Sequence, residues 1–355
     1  MMDDDLTIDK YEQYGERFAP EWTDGQRVPW TRARHKSRRS RAEILAELTD
    51  DVGDVELGFQ TTYHPSKHER GWLLSSLYSF YEEGLITDVL ALVKGGKEAN
   101  VYCCQAHPAT GLGLLAAKVY RPRMFRNLRN DKMYRQGREI LVAGGGTAGR
   151  DSGYIERAIR NKTPFGEQAA HTSWLMYEFT ALERLHGAGG SVPKPIAASD
   201  NAILMGYHGD ELMAAPTLNS VALEPSEARR HYREVLRNVD LLLQHDLIHG
   251  DLSAYNILYW QPEGSPAEIT LIDFPQVVNL RTNENARNIF ERDIELTCEY
   301  FAQQGVDCRA GEVAARLWSR YVTEMDPEDR AADWSRLLAD LEELPGDVVL
   351  DPIPL

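Results

Sequence analysis

The chain has 355 residues, 43% of them hydrophobic, enough for one large two-lobed domain or two small ones. A net charge of −16 sets the molecule as a whole against nucleic acid and anionic membranes. No apolar run approaches the roughly eighteen residues that a membrane span needs, and the acidic start, Met1 to Asp9, has no apolar stretch of the kind that marks a secretory signal. Four cysteines (Cys103, Cys104, Cys298, Cys308) give neither a metal-ligand spacing nor a disulfide framework, so a reducing, cytoplasmic location is expected.

In chain order, residues 1–65 read as an irregular arm with one short helix near Ala42–Leu48. Within it, residues 27–41 hold seven Arg or Lys, which fits a solvated arm or a contact for RNA or an acidic partner. From His68 the pattern is helical: Leu73, Leu77 and Phe80 share a face, and Gly84 stands where a C-cap belongs. Three strands are predicted next, Val89–Val93, Asn100–Cys104 and Leu112–Tyr120, with the glycine turn KGGKEAN between the first two and the loop HPATG between the last two. Residues 121–170 read as a flexible insertion, basic at 121–138 (again seven Arg or Lys) and then glycine-rich. A helix is predicted over Ser173–Leu185, then two strands in VPKPIA and AILMGY. Beyond Ser226 the chain is mainly helical, with Tyr232, Val235, Leu236, Val239, Leu242 and Leu243 on one apolar face and later helices at Glu312–Thr323 and Asp333–Leu344. A sheet-rich first half and a helix-rich second half point to two lobes with a cleft between them.

The chemistry concentrates in HGDLSAYNILYW, His249 to Trp260, followed by the strand-like ITLID that ends at Asp273. Phosphoryl transfer needs a carboxylate to position or deprotonate the acceptor, and oxygen ligands for a metal that neutralises phosphate charge. Asp251 and Asn256 lie five residues apart on one turn, and an apolar strand would return Asp273 to the same cleft. An Asp-x4-Asn alone is as readily a capped turn, so the upstream residues matter. Gly95 and Gly96 would let backbone N–H groups approach a phosphate, although a plain hairpin turn explains them equally well. Lys118 sits in the apolar strand LLAAKVY, 22 residues after Gly96, where a phosphate-binding lysine belongs; a strand lysine can also simply face solvent. Glu178, on the helix after the insertion, is the candidate partner of Lys118, against the commoner role of a surface glutamate.

Together KGGKEANVY, AAKVYRPR, YEFTALERLH, HGDLSAYNILY and IDFPQ resemble the RIO family of atypical protein kinases, from about His68 to Phe301. The segment Ala215-Pro216-Thr217 and the pair Arg292-Asp293 fit the same pattern. The resemblance implies an α+β, protein-kinase-like fold: an antiparallel N-lobe sheet with one main helix (residues 66–205, with the insertion) and an α-helical C-lobe (206–355). It implies an ATP- and Mg²⁺-dependent enzyme, with Mn²⁺ as an alternative ion, acting on Ser or Thr of a protein acceptor or of itself. By position, Gly95, Gly96, Lys97, Glu98, Ala99 and Val101 would lie in or beside the phosphate loop. Lys118 would bind phosphate, held by Glu178, and Met205, Tyr207 and His208 would form the hinge against adenine. Asp251 would be the catalytic aspartate, with Asn256 and Asp273 as metal ligands. Asp273 can itself carry phosphate in the family, which implies transfer to water through an aspartyl-phosphate. Family members act in small ribosomal subunit maturation, so a pre-ribosomal partner meeting the basic segments 27–41 and 121–138 is implied.

Lys94-Gly95 stand where the family has Ser-Thr, and no APE motif follows Asp273, so an ordinary peptide-docking segment is missing. A small-molecule phosphotransferase of the aminoglycoside or choline type also uses HGD-x4-N followed by ID, and a nucleotide-gated scaffold is a third reading. Thr147 and Ser152, in the glycine-bearing part of the insertion, are the candidate sites of phosphorylation in cis.

Overall fold

The computed structural model describes Phe59, residues 61–96, 98–121, Leu141, and residues 152–161 and 163–322. The arm with its basic run at 27–41, Lys97, nearly all of the basic run at 121–138, Thr147 and the helix expected at Asp333–Leu344 lie outside the described residues.

The chain first forms helix α1 (Lys67–Glu82), opened by a capping box between Ser66 and Glu69 and closed before Gly84. Strands β1 (Ile86–Gly95), β2 (Ala99–Ala106) and β3 (Leu114–Tyr120) follow. Helix α2 (Ser152–Arg160) and the 24-residue α3 (Pro164–Gly187) lead to β4 (Pro195–Ala198) and β5 (Ala202–Gly206). The five strands make one antiparallel sheet in the order β1-β2-β3-β5-β4, because the excursion through α3 lets β5 pair with β3.

Period-two alternation gives the sheet two different faces. Leu115, Ala117 and Val119 of β3 and Ala202 and Leu204 of β5 turn to α1, where they bury Leu73, Leu77 and Phe80. Ala116 and Tyr120, with Ile203 and Met205 of β5, turn the other way, onto Trp174, Leu175 and Leu182 of α3 and the core shared with the second lobe. Each fully buried Leu or Phe contributes about 1.5–3 kcal/mol, so each layer is held by several such side chains.

The second lobe is built on α4 (Pro225–Gln244), whose predicted apolar face is buried from Tyr232 to Leu243. Two short ladders stand over it: β6 (Leu247–Ile248) with β9 (Val278–Asn279), and β7 (Ile257–Trp260) with β8 (Glu268–Leu271). Helices α5 (Ala286–Gln303) and α6 (Ala310–Val322) complete it, and Arg320 of α6 meets buried Asp240 of α4 at 2.7 Å. The fold is thus the two-lobed, kinase-like α+β arrangement read from the sequence.

Two expectations are corrected. Part of 121–170 is helical, with α2 beginning at Ser152, and the helix expected from Ser173 begins nine residues earlier, at Pro164. The signal was a cap rather than a period, since the Thr163 side chain accepts from Gly166 N at 3.0 Å and Pro164 occupies the first turn. The cysteines were read as giving no disulfide framework, yet Cys298 and Cys308 are bonded, with Cα atoms 5.4 Å apart. The chain reverses just after α5 through Gly305, and Val306 N bonds Phe301 O at 3.0 Å, which returns Cys308 to its own helix. Cys103 and Cys104 are free and buried. No helix among the described residues is long and apolar enough to cross a membrane.

Candidate active site

The alternation of β3 decides where Lys118 points. It shares the face of Ala116 and Tyr120, between the sheet and α3, and is 8% exposed rather than in solvent. There its Nζ lies 2.6 Å from Glu178 Oε1 and 2.5 Å from Asp273 Oδ1. Glu178, in the middle of α3, also accepts from the Tyr120 hydroxyl and from the backbone N–H of Phe274 at 3.3 Å. One carboxylate therefore joins β3, α3 and the segment after β8. Burial alone would lower the Lys118 pKa, but the charges of Asp273 and Glu178 outweigh it and hold the ammonium well above its usual range. Burial likewise would raise Asp273, and Lys118 outweighs it, holding that carboxyl low. Asp273 keeps a left-handed backbone, φ +71°, a conformation that costs a non-glycine residue of order 1–3 kcal/mol.

The loop between β6 and β7 carries the other expected pair. Gly250 has φ +86°, and a Cβ there would meet Gln276 O at 2.2 Å, so only glycine fits between His249 and Asp251. Asn256 Nδ2 donates to Asp251 O at 2.8 Å and to Asp251 Oδ2 at 3.0 Å. That spends the amide nitrogen on Asp251 and leaves the amide oxygen as the group for a further ligand. The β7–β8 hairpin pairs Ile257 with Leu271, and Ile272 N bonds Asn256 O at 2.9 Å. This short ladder brings Asp273 back beside the loop.

Arg292 and Asp293, at the centre of α5, brace that loop from below. Asp293 accepts from Gly250 N at 2.7 Å and from Leu252 N at 3.2 Å, and Arg292 donates to Gly250 O. Burial pushes the Asp293 carboxyl up to about 6 against the pull of Arg292. It pushes Asp251 up to about 7, opposed by Arg292 and reinforced by the charges of Asp273 and Asp293. Burial lowers His249 to about 4, so the ring is neutral: it donates from Nε2 to Ile272 O at 3.1 Å and accepts at Nδ1 from Asp251 N at 3.3 Å.

The remaining expected residues lie around this centre. Met205 pairs with Ala116, two residues before Lys118, and Tyr207 hydrogen-bonds the Cys103 thiol. His208 Nδ1 is 3.4 Å from the Thr270 hydroxyl. Ala99 and Val101 are on β2, packed against the main core, and Gly95 and Gly96 form the turn before it, while Lys97 lies outside the described residues. The backbone oxygen of Glu98 accepts from Arg121 N at 2.8 Å. Sequence reading missed Tyr120, the Phe274 N–H and Asn100 as members of the site.

Asn256 and Asp273 supply oxygen donors, the ligand type that suits Mg²⁺. Among the described residues no three His, Cys, Asp or Glu form a self-contained metal site. An ion here would take its other ligands from phosphate and water, as Mg²⁺ at nucleotide sites does.

A family model for the RIO domain matches residues 150–313. A RIO-type serine/threonine-protein kinase Rio1 of Haloferax volcanii is 30% identical over 301 residues, covering 83% of this chain and 89% of the relative. The chain belongs to the RIO kinase family. A serine/threonine-protein kinase RIO1 of Chaetomium thermophilum is 30% identical over 251 residues, 68% of this chain, and the chain spans 43% of that relative's length. Among solved structures, the Rio2 kinase-ADP/Mg²⁺-phosphoaspartate complex of Chaetomium thermophilum aligns over 85% of each chain at 19% identity, with a TM-score of 0.47.

Proposed function

We propose that this RIO-family chain transfers the γ-phosphoryl group of ATP, with Mg²⁺, to a Ser or Thr hydroxyl of a protein acceptor or of itself, or to water by way of Asp273. The observation that carries the reading is the convergence of buried Lys118 and Glu178 with partly exposed Asp273 in one ion-pair cluster beside the Asp251–Asn256 turn. In this reading Lys118 holds nucleotide phosphate, Glu178 fixes Lys118, and Met205, Tyr207 and His208 line the adenine edge. Asn256 and Asp273 would hold Mg²⁺, which supplies charge neutralisation on the phosphates when bound. Asp251 orients the acceptor hydroxyl and takes its proton as the oxygen attacks phosphorus and ADP leaves. A carboxyl with a pKa of about 7 is matched to that exchange near neutral pH.

Transfer to water would use Asp273 as the first acceptor: its carboxylate oxygen bonds to phosphorus, ADP departs, and water then releases phosphate. Lys118 at 2.5 Å keeps that carboxylate ionised, the form that can attack phosphorus. The cis acceptors Thr147 and Ser152, and a pre-ribosomal partner for the basic segments, belong to the same proposal. The test is incubation of the chain with Mg-ATP labelled in the γ-phosphoryl group, followed by mapping of hydroxylamine-labile and acid-stable label. Label on Asp273 or on Ser/Thr supports the reading. ATP left intact in the presence of Mg²⁺ overturns it.

A further inference from the structure

On the sheet face turned away from Lys118, a line of side chains joins the start of α1 to the glycine turn. Glu69, three residues into α1, accepts the Tyr102 hydroxyl at 2.5 Å and the Tyr63 hydroxyl at 3.3 Å. Tyr102 in turn accepts from Asn100 Nδ2 at 2.9 Å. Asn100 Oδ1 receives the backbone N–H of Gly96 at 3.3 Å and the Arg121 guanidinium at 3.0 and 3.3 Å. Tyr102 is fully buried and Asn100 is 4% exposed, so a broken link would leave a polar group without water.

The polarity of this line runs one way. A carboxylate only accepts, so Glu69 takes the single proton of Tyr102. The tyrosine oxygen is then left as an acceptor, which draws the amide nitrogen of Asn100. The amide oxygen must therefore face Gly96 and Arg121; the flipped amide would set N–H against N–H at both. Arg121 also holds the far side of the turn, its N–H bonding Glu98 O at 2.8 Å. Only glycine fits at position 96, where a Cβ would meet Ala99 O at 2.6 Å.

We propose that Asn100, oriented by Tyr102 and Glu69, is a positioning residue for the phosphate loop, so that α1 sets the loop's affinity for nucleotide phosphates. The inference rests on the nucleotide reading above. Each of the three acts through the backbone of Gly96 and Glu98 rather than by binding the nucleotide itself.

The test compares Kd values for Mg-ATP and for adenosine, by calorimetry on the full chain. Tyr102→Phe and Asn100→Ala weaken Mg-ATP binding roughly 5- to 20-fold, the worth of one or two hydrogen bonds, and leave adenosine within about twofold. Glu69→Ala behaves as Tyr102→Phe does, and Glu69→Gln, which keeps an acceptor, restores binding. Tyr102→Phe keeps the ring and its packing, so it and the Glu69 pair decide the matter even if Asn100→Ala fails to fold. Equal losses for adenosine and Mg-ATP, or unchanged Mg-ATP binding in Tyr102→Phe, overturn the inference alone. A wild-type chain that binds neither ligand removes the nucleotide reading and this inference with it.

Discussion

The Nζ of Lys118 and Oε1 of Glu178 stand 2.6 Å apart across a sequence separation of 60 residues. Lys118 is the cation paired with Glu178, and Tyr120 and Phe274 N share the same carboxylate. Their effects on turnover are therefore coupled. Lys118→Ala and Glu178→Ala each lower kcat/KM by about 10² or more, and the double variant is little worse than either. Additive losses in this cycle would mean that Glu178 does not act through Lys118.

The same cluster sets a stability cost. Lys118→Met leaves Glu178, 1% exposed, and Asp273 without their shared cation. Breaking a buried pair from one side costs about 3–5 kcal/mol. Urea unfolding should show that loss, and a midpoint equal to wild type would refute the buried pairing.

On the proposed roles, Asp251 and Asp273 give different losses. Asp251→Asn keeps Mg-ATP affinity within about threefold and lowers turnover by about 10²–10⁴, the range for losing a general base. Asp273→Ala loses the Mg²⁺-dependent part of ATP affinity. Parallel loss of binding in both variants contradicts the assignment.

The pH dependence follows from the raised Asp251 pKa. With the base form required, kcat/KM climbs about tenfold per pH unit below about 7 and levels off above it. The stability sign is the reverse. A carboxyl raised from 3.8 to about 7 destabilises the fold as pH rises through that window, because the buried ionised form is disfavoured. Asp251→Asn thus raises Tm at pH 8 and leaves it nearly unchanged below pH 4, as thermal scans across this range would show.

Asp293 braces the loop that carries Asp251. Asp293→Ala removes the acceptor for Gly250 N and Leu252 N and leaves Arg292 beside them without that carboxylate. We expect about 2–5 kcal/mol of lost stability together with loss of turnover, and retention of both would place the loop's support elsewhere.

The legible parts of this molecule were local or periodic. Asp251 and Asn256 share one turn, and the strand ITLID announces the return of Asp273. The alternation of LLAAKVY assigns faces, though only the packed α3 shows that the face of Lys118 is enclosed. What stayed hidden depends on distant chain. Asn100, Tyr102 and Glu69 meet only when α1 lies on β2, and a buried asparagine in a strand has no spacing that names its partner. Arg292-Asp293 was visible as a family-like pair, but its grip on Gly250 and Leu252 comes from the packing of α5 under the loop. The early start of α3 was signalled by Thr163-Pro164, not by apolar periodicity, and the Cys298–Cys308 bond depends on a chain reversal at Gly305.

In the proposed reading, Asp251 acts in phosphoryl transfer at a site built by Lys118, Glu178 and Asp273. Single-turnover reaction of the full chain with γ-labelled Mg-ATP, wild type beside Asp251→Asn, tests it most directly. We expect label to move to protein or to free phosphate in the wild type, and that rate to fall at least about 10²-fold in Asp251→Asn at unchanged ATP occupancy. Equal rates in the two proteins would contradict it.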